Sequence, residues 1–424
     1  MSNRLSRLRR LAVVDVTPLR EVPGFRWLFL GFFFVQAGRQ LTVVAVPFQV
    51  FEITGSTLAV GMLGLAQLVP LLIVSVVGGA LADAIDRRKI LVISPIVLAF
   101  TSAGLMWNAL MDTPLLWPLF VLSAINAGIS AVDGPARQAM VPNLVGRTLL
   151  PSALALNQTL VNVAKAAFPA VGGILIATAG LAFTFGAETV CFLLATLFMR
   201  GLPVMAVEGG GRRLEMSSII EGFKYLKNIR LIQGAMLIDF NAMVFGMPTA
   251  LFPAMGTEVF GGDAFTVGLL YAAPGAGALL GALTSGWISA VRRQGRAVVL
   301  AVVGWGVAIA IFGLSSSLVV GLAMLALAGA ADVVSAIFRG TIIQLNTPDE
   351  LRGRVSSMHM AVVAGGPRLG DLEAGVVAAL TSVRFSVVSG GLACVLGALG
   401  VAKWAPAFFR YMSDADKGEE PGMQ

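Results

Sequence analysis

The sequence predicts an all-α membrane protein whose twelve transmembrane helices form two pseudo-symmetric halves of six. Three observations support this prediction: the 424-residue chain is 57% hydrophobic and only 12% charged, its apolar runs alternate with short charged segments, and it contains an internal repeat. A soluble domain with so little charge would expose large apolar patches and aggregate. The net charge of +7 does not indicate nucleic-acid binding, because the basic residues lie in short clusters between apolar runs.

Twelve apolar runs are long enough to cross a bilayer, since one transmembrane helix needs about 20 residues. Turn residues and charges separate these runs. Their predicted limits are 25–47, 58–82, 90–110, 115–136, 153–178, 182–200, 229–252, 266–290, 297–315, 318–339, 356–381 and 384–405. The chain is therefore divided into an N-terminal segment 1–24, a six-helix half 25–200, a linker 201–228, a second six-helix half 229–405 and a tail 406–424.

The distribution of Lys and Arg predicts that both termini are cytoplasmic. With this orientation, all but four of the 30 basic residues lie in cytoplasmic segments or at helix ends, as the positive-inside rule requires. The exceptions are Arg39, Lys165 and Arg368 within spans, and Arg384 on the outer side. No small-residue cleavage site follows the first apolar run, so we expect a retained helix rather than a signal peptide.

The internal repeat indicates that the two halves share one architecture. At a constant offset of 207 residues, Gly79 corresponds to Gly286 and Arg147 corresponds to Arg354. Duplicated six-helix halves are typical of secondary transporters, in which the substrate site lies between the halves near the bilayer midplane. The repeat therefore favours a transporter over other classes of membrane protein.

A charged motif follows the second span. Residues 78–89 read Gly-Gly-Ala-Leu-Ala-Asp-Ala-Ile-Asp-Arg-Arg-Lys, in which a glycine permits close helix packing and an acid can pair with the following cations. The motif resembles the signature of the major facilitator superfamily between helices 2 and 3, but it has Asp86 where that family usually has Gly. The alternative is that these basic residues only set the topology. The resemblance implies a cytoplasmic latch formed by Gly79, Asp83, Arg87, Arg88, Asp133 and Arg137.

The fifth span contains a second motif. Pro169, Gly172 and Gly173 match the Pro-x-x-Gly-Gly end of a pattern that is associated with antiporters of this superfamily. Ala164 and Phe168 replace the earlier glycines of that pattern. A bent, closely packed helix accounts equally for the spacing, so the match favours export without establishing it.

Four further runs resemble the drug-and-siderophore exporter group of the superfamily, which includes the enterobactin exporter. These runs are 133–137, 221–226, 346–355 and 365–375. The acidic replacement at Asp86 also looks like the enterobactin-exporter branch. The resemblance extends over roughly residues 25–404 and says little about the compound carried.

Ionisable side chains within the spans are the candidates for transport chemistry, because a charge at a helix centre costs about 2.5–3.5 kcal/mol on insertion scales. In this superfamily helices 1, 4, 7 and 10 line the central cavity, which favours Arg39, Asp239 and Asp332 over Glu188 of the sixth span. We expect Asp239 or Asp332 to titrate with the coupling proton. Lys165 contacts an acidic cargo or neutralises an acid on a neighbouring helix. The candidates for cargo contact are Arg39, Gln36, Asn126 and Lys165.

Three further features of the sequence carry no predicted chemistry. The only histidine, His359, does not make a metal site and receives no role. The two cysteines, Cys191 and Cys394, lie in apolar runs and form neither a disulfide framework nor a metal-ligand spacing. Arg368 and Asp371 are three residues apart and are spaced to pair on one helix face.

The combined prediction is a transporter of the plasma (inner) membrane that exports a hydrophobic or siderophore-like small molecule by proton antiport and alternating access. We expect a monomer in the lipid bilayer, with protons as the coupling ion and no cofactor, metal or nucleic acid. The alternatives are a multidrug or antibiotic efflux pump of the macrolide or tetracycline type, an uptake symporter, and a non-transporting membrane receptor. A receptor is expected to carry an appended soluble domain, whereas 24 residues precede the first span and 19 follow the last. An enzyme is not predicted, because the sequence shows no nucleophile–base set, phosphate loop or metal-ligand spacing.

Overall fold

The computed structural model describes residues 15–84, 86–203 and 229–412. Side-chain surroundings are described for all of these except 75–84, Ser289 and Glu350. Residues 1–14, most of the predicted linker 201–228 and residues 413–424 of the predicted tail lie outside the described residues.

The first part of the chain forms three long helices after a short helix, Thr17–Glu21. Their long apolar runs require internal backbone hydrogen bonding in a bilayer, which an α-helix provides. The three helices are α1 (Pro23–Thr54), α2 (Thr57–Ala84) and α3 (Arg87–Ala109).

The helical stretch Leu116–Arg200 consists of three consecutive helices. Gly146 (φ 69°) and Gly180 (φ 84°) have a left-handed backbone, which interrupts the helix and which glycine adopts without a Cβ clash. We label the three parts α4 (116–145), α5 (147–179) and α6 (181–200).

The remaining long helices follow from residue 230 onwards. A 3₁₀ segment, Ser285–Ala290, forms the last part of the predicted span 266–290. That span is therefore α-helical only as far as Leu283. The helices are α7 (Arg230–Phe245), α8 (Ala264–Leu283), α9 (Gln294–Leu314), α10 (Leu318–Leu345), α11 (Asp349–Leu380) and α12 (Val383–Trp404).

Helix lengths and composition agree with a polytopic membrane protein. In the described ranges, nine helical stretches are long and apolar enough to cross a membrane. One of these is Leu116–Arg200, which holds three helices, and the 32-residue α11 is a further helix long enough to span. No β-strand occurs among the described residues. The predicted all-α fold class with about twelve spans is therefore confirmed.

Several predicted spans differ from the helices at their ends, and two of these differences concern the surroundings of buried polar groups. The span 318–339 ended too early, because Gly340 follows Arg339 without breaking the helix, and α10 continues to Leu345. Arg339 therefore lies more than a turn inside the helix instead of at its end. The span 229–252 was predicted as continuous, whereas α7 stops at Phe245 and the chain resumes as a 3₁₀ turn at Thr249.

The chain divides into two compact units, Met1–Gln49 with Val69–Arg213 and Val50–Leu68 with Leu214–Gln424. The first has a core that includes the fully buried Phe25 and Met140. The second has a larger core around Phe252, Phe312 and Phe338. Both cores are built from apolar side chains that pack between helices.

Helices α8 and α10 pack with their backbones in close contact. A Cβ atom added at Gly277 would overlap the carbonyl group of Ala326, and one added at Gly329 would overlap the carbonyl group of Pro274. Gly277 and Gly281 have the spacing of a Gly-x-x-x-Gly motif, which allows such an approach between membrane helices. Neither Gly277 nor Gly329 can gain a side chain without separating α8 from α10.

We expect Gly277→Ala and Gly329→Ala to lower the apparent melting temperature, since overpacking a well-packed site costs about 1–3 kcal/mol. The matched control is Gly304→Ala in α9, where nothing lies within 4 Å of an added Cβ. Alanine favours a helix over glycine by about 1 kcal/mol, so this variant should be as stable as the parent or more stable. Thermal unfolding of the three variants in detergent tests the packing. Equal melting temperatures for all three would contradict it.

Candidate functional site

The first unit contains a buried ion pair between α1 and α4. Arg39 Nη2 lies 3.3 Å from Asp133 Oδ2, and the Asp133 side chain is only 4% exposed whereas that of Arg39 is 22% exposed. Arg137, one turn after Asp133, places its guanidinium 3.5 Å from the ring centroid of Phe32 in a cation–π contact. Asp133 was expected to be a latch partner for Arg87 or Arg137; among the described residues its ion pair is with Arg39, and its charge also interacts with that of Arg137.

Two of the other predicted latch residues, Arg87 and Arg88, bind backbone groups. Arg87 Nη1 donates to the carbonyl of Ala139 at 3.4 Å, and Arg88 Nη2 donates to the carbonyl of Arg200 at 2.9 Å. Asp86 caps α3 by accepting a hydrogen bond from the backbone N–H of Arg88, a role that a glycine at this position has no side chain to fill. Gly79 and Asp83 belong to the last turns of α2, and their side-chain surroundings lie outside the described residues.

The predicted cargo residues do not form one cluster. Gln36 is buried on α1, three residues before Arg39. Asn126 of α4 accepts a hydrogen bond from Thr101 of α3 at 2.7 Å, whereas Lys165 is exposed on α5. Only Gln36 and Arg39 share one helix face.

Pro169, Gly172 and Gly173 of the predicted antiporter motif are all buried in α5. A Cβ atom added at Gly172 would lie 3.3 Å from a side-chain carbon of Leu41 on α1. The motif therefore produces close packing of α5 against α1.

A further acid of the first unit is completely buried. Glu188 of α6 accepts a hydrogen bond from the Thr42 hydroxyl at 2.5 Å through Oε1. Its Oε2 atom is buried without a hydrogen-bond partner among the described residues. The Glu188 carboxyl group is therefore bound by the hydroxyl group of Thr42, whereas the Asp133 carboxylate is bound by the guanidinium group of Arg39.

The second unit contains a buried cluster that joins α7, α10 and α11. Arg339 Nη2 lies 2.8 Å from Asp239 Oδ1, with side-chain exposures of 3% and 0%. His359 Nε2 lies 3.2 Å from the other carboxylate oxygen, Oδ2. Arg339 Nη1 also donates to the Ser335 hydroxyl at 2.9 Å. Asp332, the other predicted proton-titrating acid, lies on α10 two helical turns before Arg339 and is partly buried.

Sequence reasoning identified Asp239 and missed both of its partners. Arg339 was placed at a helix end, because its span was ended six residues too early. His359 was given no role because a lone histidine is not a metal site. Within the described ranges, no group of three or more His, Cys, Asp or Glu side chains is arranged to hold a metal ion. The missed signal was a histidine within a predicted span, where every ionisable group needs a partner.

The membrane span that begins with α7 is interrupted after Phe245. Side chains of neighbouring helices form hydrogen bonds with the backbone groups at this break. After α7 ends at Phe245, Trp305 Nε1 of α9 donates to the carbonyl of Gly246 at 2.7 Å. The Tyr271 hydroxyl of α8 donates to the carbonyl of Thr249 at 2.9 Å. Broken helices are tolerated in membranes where protein groups satisfy the freed backbone in this way.

The Asp371 side chain of α11 accepts hydrogen bonds from the residues that follow the break. One of its carboxylate oxygens accepts from the Thr249 hydroxyl at 2.5 Å and from the backbone N–H of Ala250 at 2.9 Å. Arg368, three residues earlier on the same helix, interacts electrostatically with this carboxylate, whose hydrogen bonds cap the turn that follows the break. The break lies two turns beyond Asp239 along the same span.

A family model described as "Transmembrane secretion effector" (MFS_3) matches residues 14–412 of the chain. The chain belongs to this family of the major facilitator superfamily. The transporter is 31% identical over 392 residues to the enterobactin exporter EntS of Shigella boydii, covering 91% of this chain and 93% of that protein. It is also 31% identical over 396 residues to EntS of Citrobacter koseri, covering 92% and 94%. The predicted resemblance to this group is confirmed.

Solved structures show the same fold at low sequence identity. The transporter matches a POT family transporter in complex with 5-aminolevulinic acid with a TM-score of 0.73 and 11% identity, covering 91% of this chain and 97% of the other. It matches a D-xylose–proton symporter with a TM-score of 0.67 and 14% identity, covering 91% and 98%. Family and relatives thus identify a multi-pass membrane transporter for a small molecule, not an enzyme.

We expect Asp371→Ala to lower the apparent melting temperature, since it leaves the Ala250 N–H without an acceptor, at a cost of about 1–3 kcal/mol. The matched control is Asp371→Asn, which keeps one carbonyl oxygen for the same hydrogen bonds and should unfold close to the parent. Thermal unfolding in detergent measures both. A similar loss in the two variants would show that charge, rather than an oxygen acceptor, is what the break requires.

Proposed function

We propose that the transporter exports a siderophore-like or other hydrophobic small molecule across the plasma (inner) membrane in exchange for protons, by alternating access. The observation that carries the coupling is Asp239, a fully buried carboxylate joined to a cation and a histidine inside the spans. Ionisable groups at this depth mark substrate and proton pathways. The relatives named enterobactin exporters support the direction of transport and the class of cargo.

The orientation proposed for this activity has both termini in the cytoplasm. It is supported by the Lys and Arg residues, which lie mainly in the segments that this orientation makes cytoplasmic. Gly79, Asp83, Arg87 and Arg88 then lie on the cytoplasmic side. There the two arginines fasten the start of α3 to backbone carbonyls of α4 and α6.

Arg39 is the proposed contact for an anionic cargo. Its guanidinium is partly exposed, and its ion pair with Asp133 is 3.3 Å long. Guanidinium groups bind oxyanions with two parallel hydrogen bonds. An anionic catecholate-type cargo would therefore compete with Asp133 for Arg39, and Gln36 lies three residues away to add a polar contact. Asn126 and Lys165 remain weaker candidates, because one is bonded to Thr101 and the other is exposed.

Coupling requires that cargo and protons bias the same conformational equilibrium. The Asp239 cluster joins α7, α10 and α11 of the second unit, so a change in its protonation changes the attraction among three helices. We propose this cluster as the coupling element, with Asp332 as the second carboxylate on α10.

Everted membrane vesicles test the function directly, since an exporter then moves cargo into the lumen. With an acid lumen, a tris-catecholate siderophore should accumulate, and a protonophore should abolish the accumulation. Arg39→Gln should reduce uptake about tenfold or more, because a charge-assisted hydrogen bond contributes about 1.5–3 kcal/mol. The control is Arg293→Gln, an exposed arginine between α8 and α9, which should leave uptake unchanged.

Three results would contradict the proposal in distinct ways. Uptake that persists with a protonophore excludes proton antiport. Accumulation in right-side-out vesicles with an acid exterior indicates an uptake symporter. Transport of cationic drugs with no transport of the anionic siderophore indicates a multidrug pump and removes the role given to Arg39.

A further inference from the structure

The Asp239 carboxylate has two cationic partners of different chemistry, one on each oxygen. Arg339 lies 2.8 Å from Oδ1 and is almost completely buried. A guanidinium group stays protonated in proteins. A buried carboxylate next to a permanent cation is stabilised as an anion, because neutralising it would leave the guanidinium unpaired in an apolar environment. The Ser335 hydroxyl holds this guanidinium in place. Arg339 therefore places a permanent positive charge beside one oxygen of Asp239 and leaves the other oxygen to His359.

His359 binds the other oxygen of the same carboxylate. Its Nε2 atom lies 3.2 Å from Oδ2, and its side chain is 20% exposed, whereas Asp239 is fully buried. Imidazole is the side chain that ordinarily changes charge between pH 5 and pH 8. Because carboxylate oxygens only accept hydrogen bonds, Nε2 carries its hydrogen in both charge states and the added proton binds at Nδ1. Partial exposure gives that proton a route to His359 that Asp239 lacks.

The charges around His359 come from several helices. Asp239 of α7 contacts it directly, and Arg339 of α10 contacts the opposite oxygen of that carboxylate. The other charged groups on α7, α10, the packed helix α12 and α11 itself are Arg230, Asp332, Arg384, Lys403, Asp349, Glu350, Arg352, Arg354, Arg368, Asp371 and Glu373. Most of these lie towards helix ends, and Asp371 is engaged at the break after α7. Asp239 is thus the counter-charge in contact with the imidazole.

We propose that His359 carries the coupling proton and that Asp239, kept ionised by Arg339, is its fixed counter-charge. With neutral imidazole the cluster has no net charge, and one bound proton gives it a charge of +1. Protonated His359 then competes with Arg339 for one carboxylate, which shifts attraction from the α7–α10 contact to the α7–α11 contact. This inference rests on the proposed function. It makes Asp239 and Arg339 positioning residues and His359 the proton carrier.

The single histidine makes a direct test possible. Protein labelled with ¹³C at histidine Cε1 and purified without a histidine tag gives one imidazole signal, which is followed against pH in lipid nanodiscs. The same preparation in proteoliposomes gives the pH dependence of proton-driven siderophore transport. We expect the signal and the transport activity to change with one shared midpoint.

Substitution provides the second readout. His359→Gln should lose proton-driven transport about tenfold or more while retaining counterflow, the exchange of labelled for unlabelled cargo without a gradient. The matched control, Met360→Gln, places the same side chain at an adjacent exposed position and should keep both activities. A merely structural role would reduce counterflow and gradient-driven transport together.

The outcomes separate this inference from the proposed function. Proton-driven transport with an imidazole signal that does not change over the same pH range overturns the assignment of His359 alone. His359→Gln protein with parental proton-driven transport overturns it as well. If transport by the parent protein does not depend on the proton gradient, the proposed function is contradicted, and so is this inference.

Discussion

The hydrocarbon core of a bilayer offers no partner to a polar group, and this constraint explains where the charges of this transporter lie. Asp239 and Arg339 are almost completely removed from solvent, yet each is matched by an opposite charge at 2.8 Å. Arg39 and Asp133 repeat the arrangement in the first unit with a longer and more exposed contact. Removing either partner of such a pair leaves an uncompensated buried charge, which in proteins costs about 3–5 kcal/mol. Pairing therefore avoids the cost of an unpaired buried charge and restricts which groups remain open to cargo or protons.

The same constraint governs the break after α7. Gly246 and Thr249 expose carbonyl groups that Trp305 and Tyr271 satisfy, and Asp371 satisfies the N–H of Ala250. Discontinuous helices are a recurrent means of placing binding groups within a membrane. Here the break follows Asp239 by two turns, so α8, α9 and α11 fix the position of the span that carries the cluster. Elsewhere in the same unit, Gly277 of α8 lies against the backbone of Ala326 of α10, because a glycine has no side chain to separate the two helices.

The sequence predicts the fold well because hydropathy and the distribution of basic residues are local properties. It also identifies Asp239, since an acidic residue within an apolar run can be recognised from the sequence alone. Partner choice is not local: Asp133 forms its hydrogen-bonded ion pair with Arg39 of α1, 94 residues away along the chain. Arg339 and His359 were missed because their significance depends on the end of α10 and on the face that α11 presents to α7. The break at Gly246-Met247-Pro248 has a recognisable glycine–proline signal, but only the structure shows which side chains complete it.

A double-mutant cycle on Asp239 and Arg339 tests the central claim, that buried charges are stable in this transporter only as pairs. The apparent melting temperature of detergent-solubilised protein is measured for Asp239→Asn, Arg339→Gln and the double variant. The account predicts a large loss for Arg339→Gln, which strands a buried carboxylate, and a substantial recovery when Asp239→Asn is added. Losses that simply add in the double variant, or single variants as stable as the parent, would contradict it.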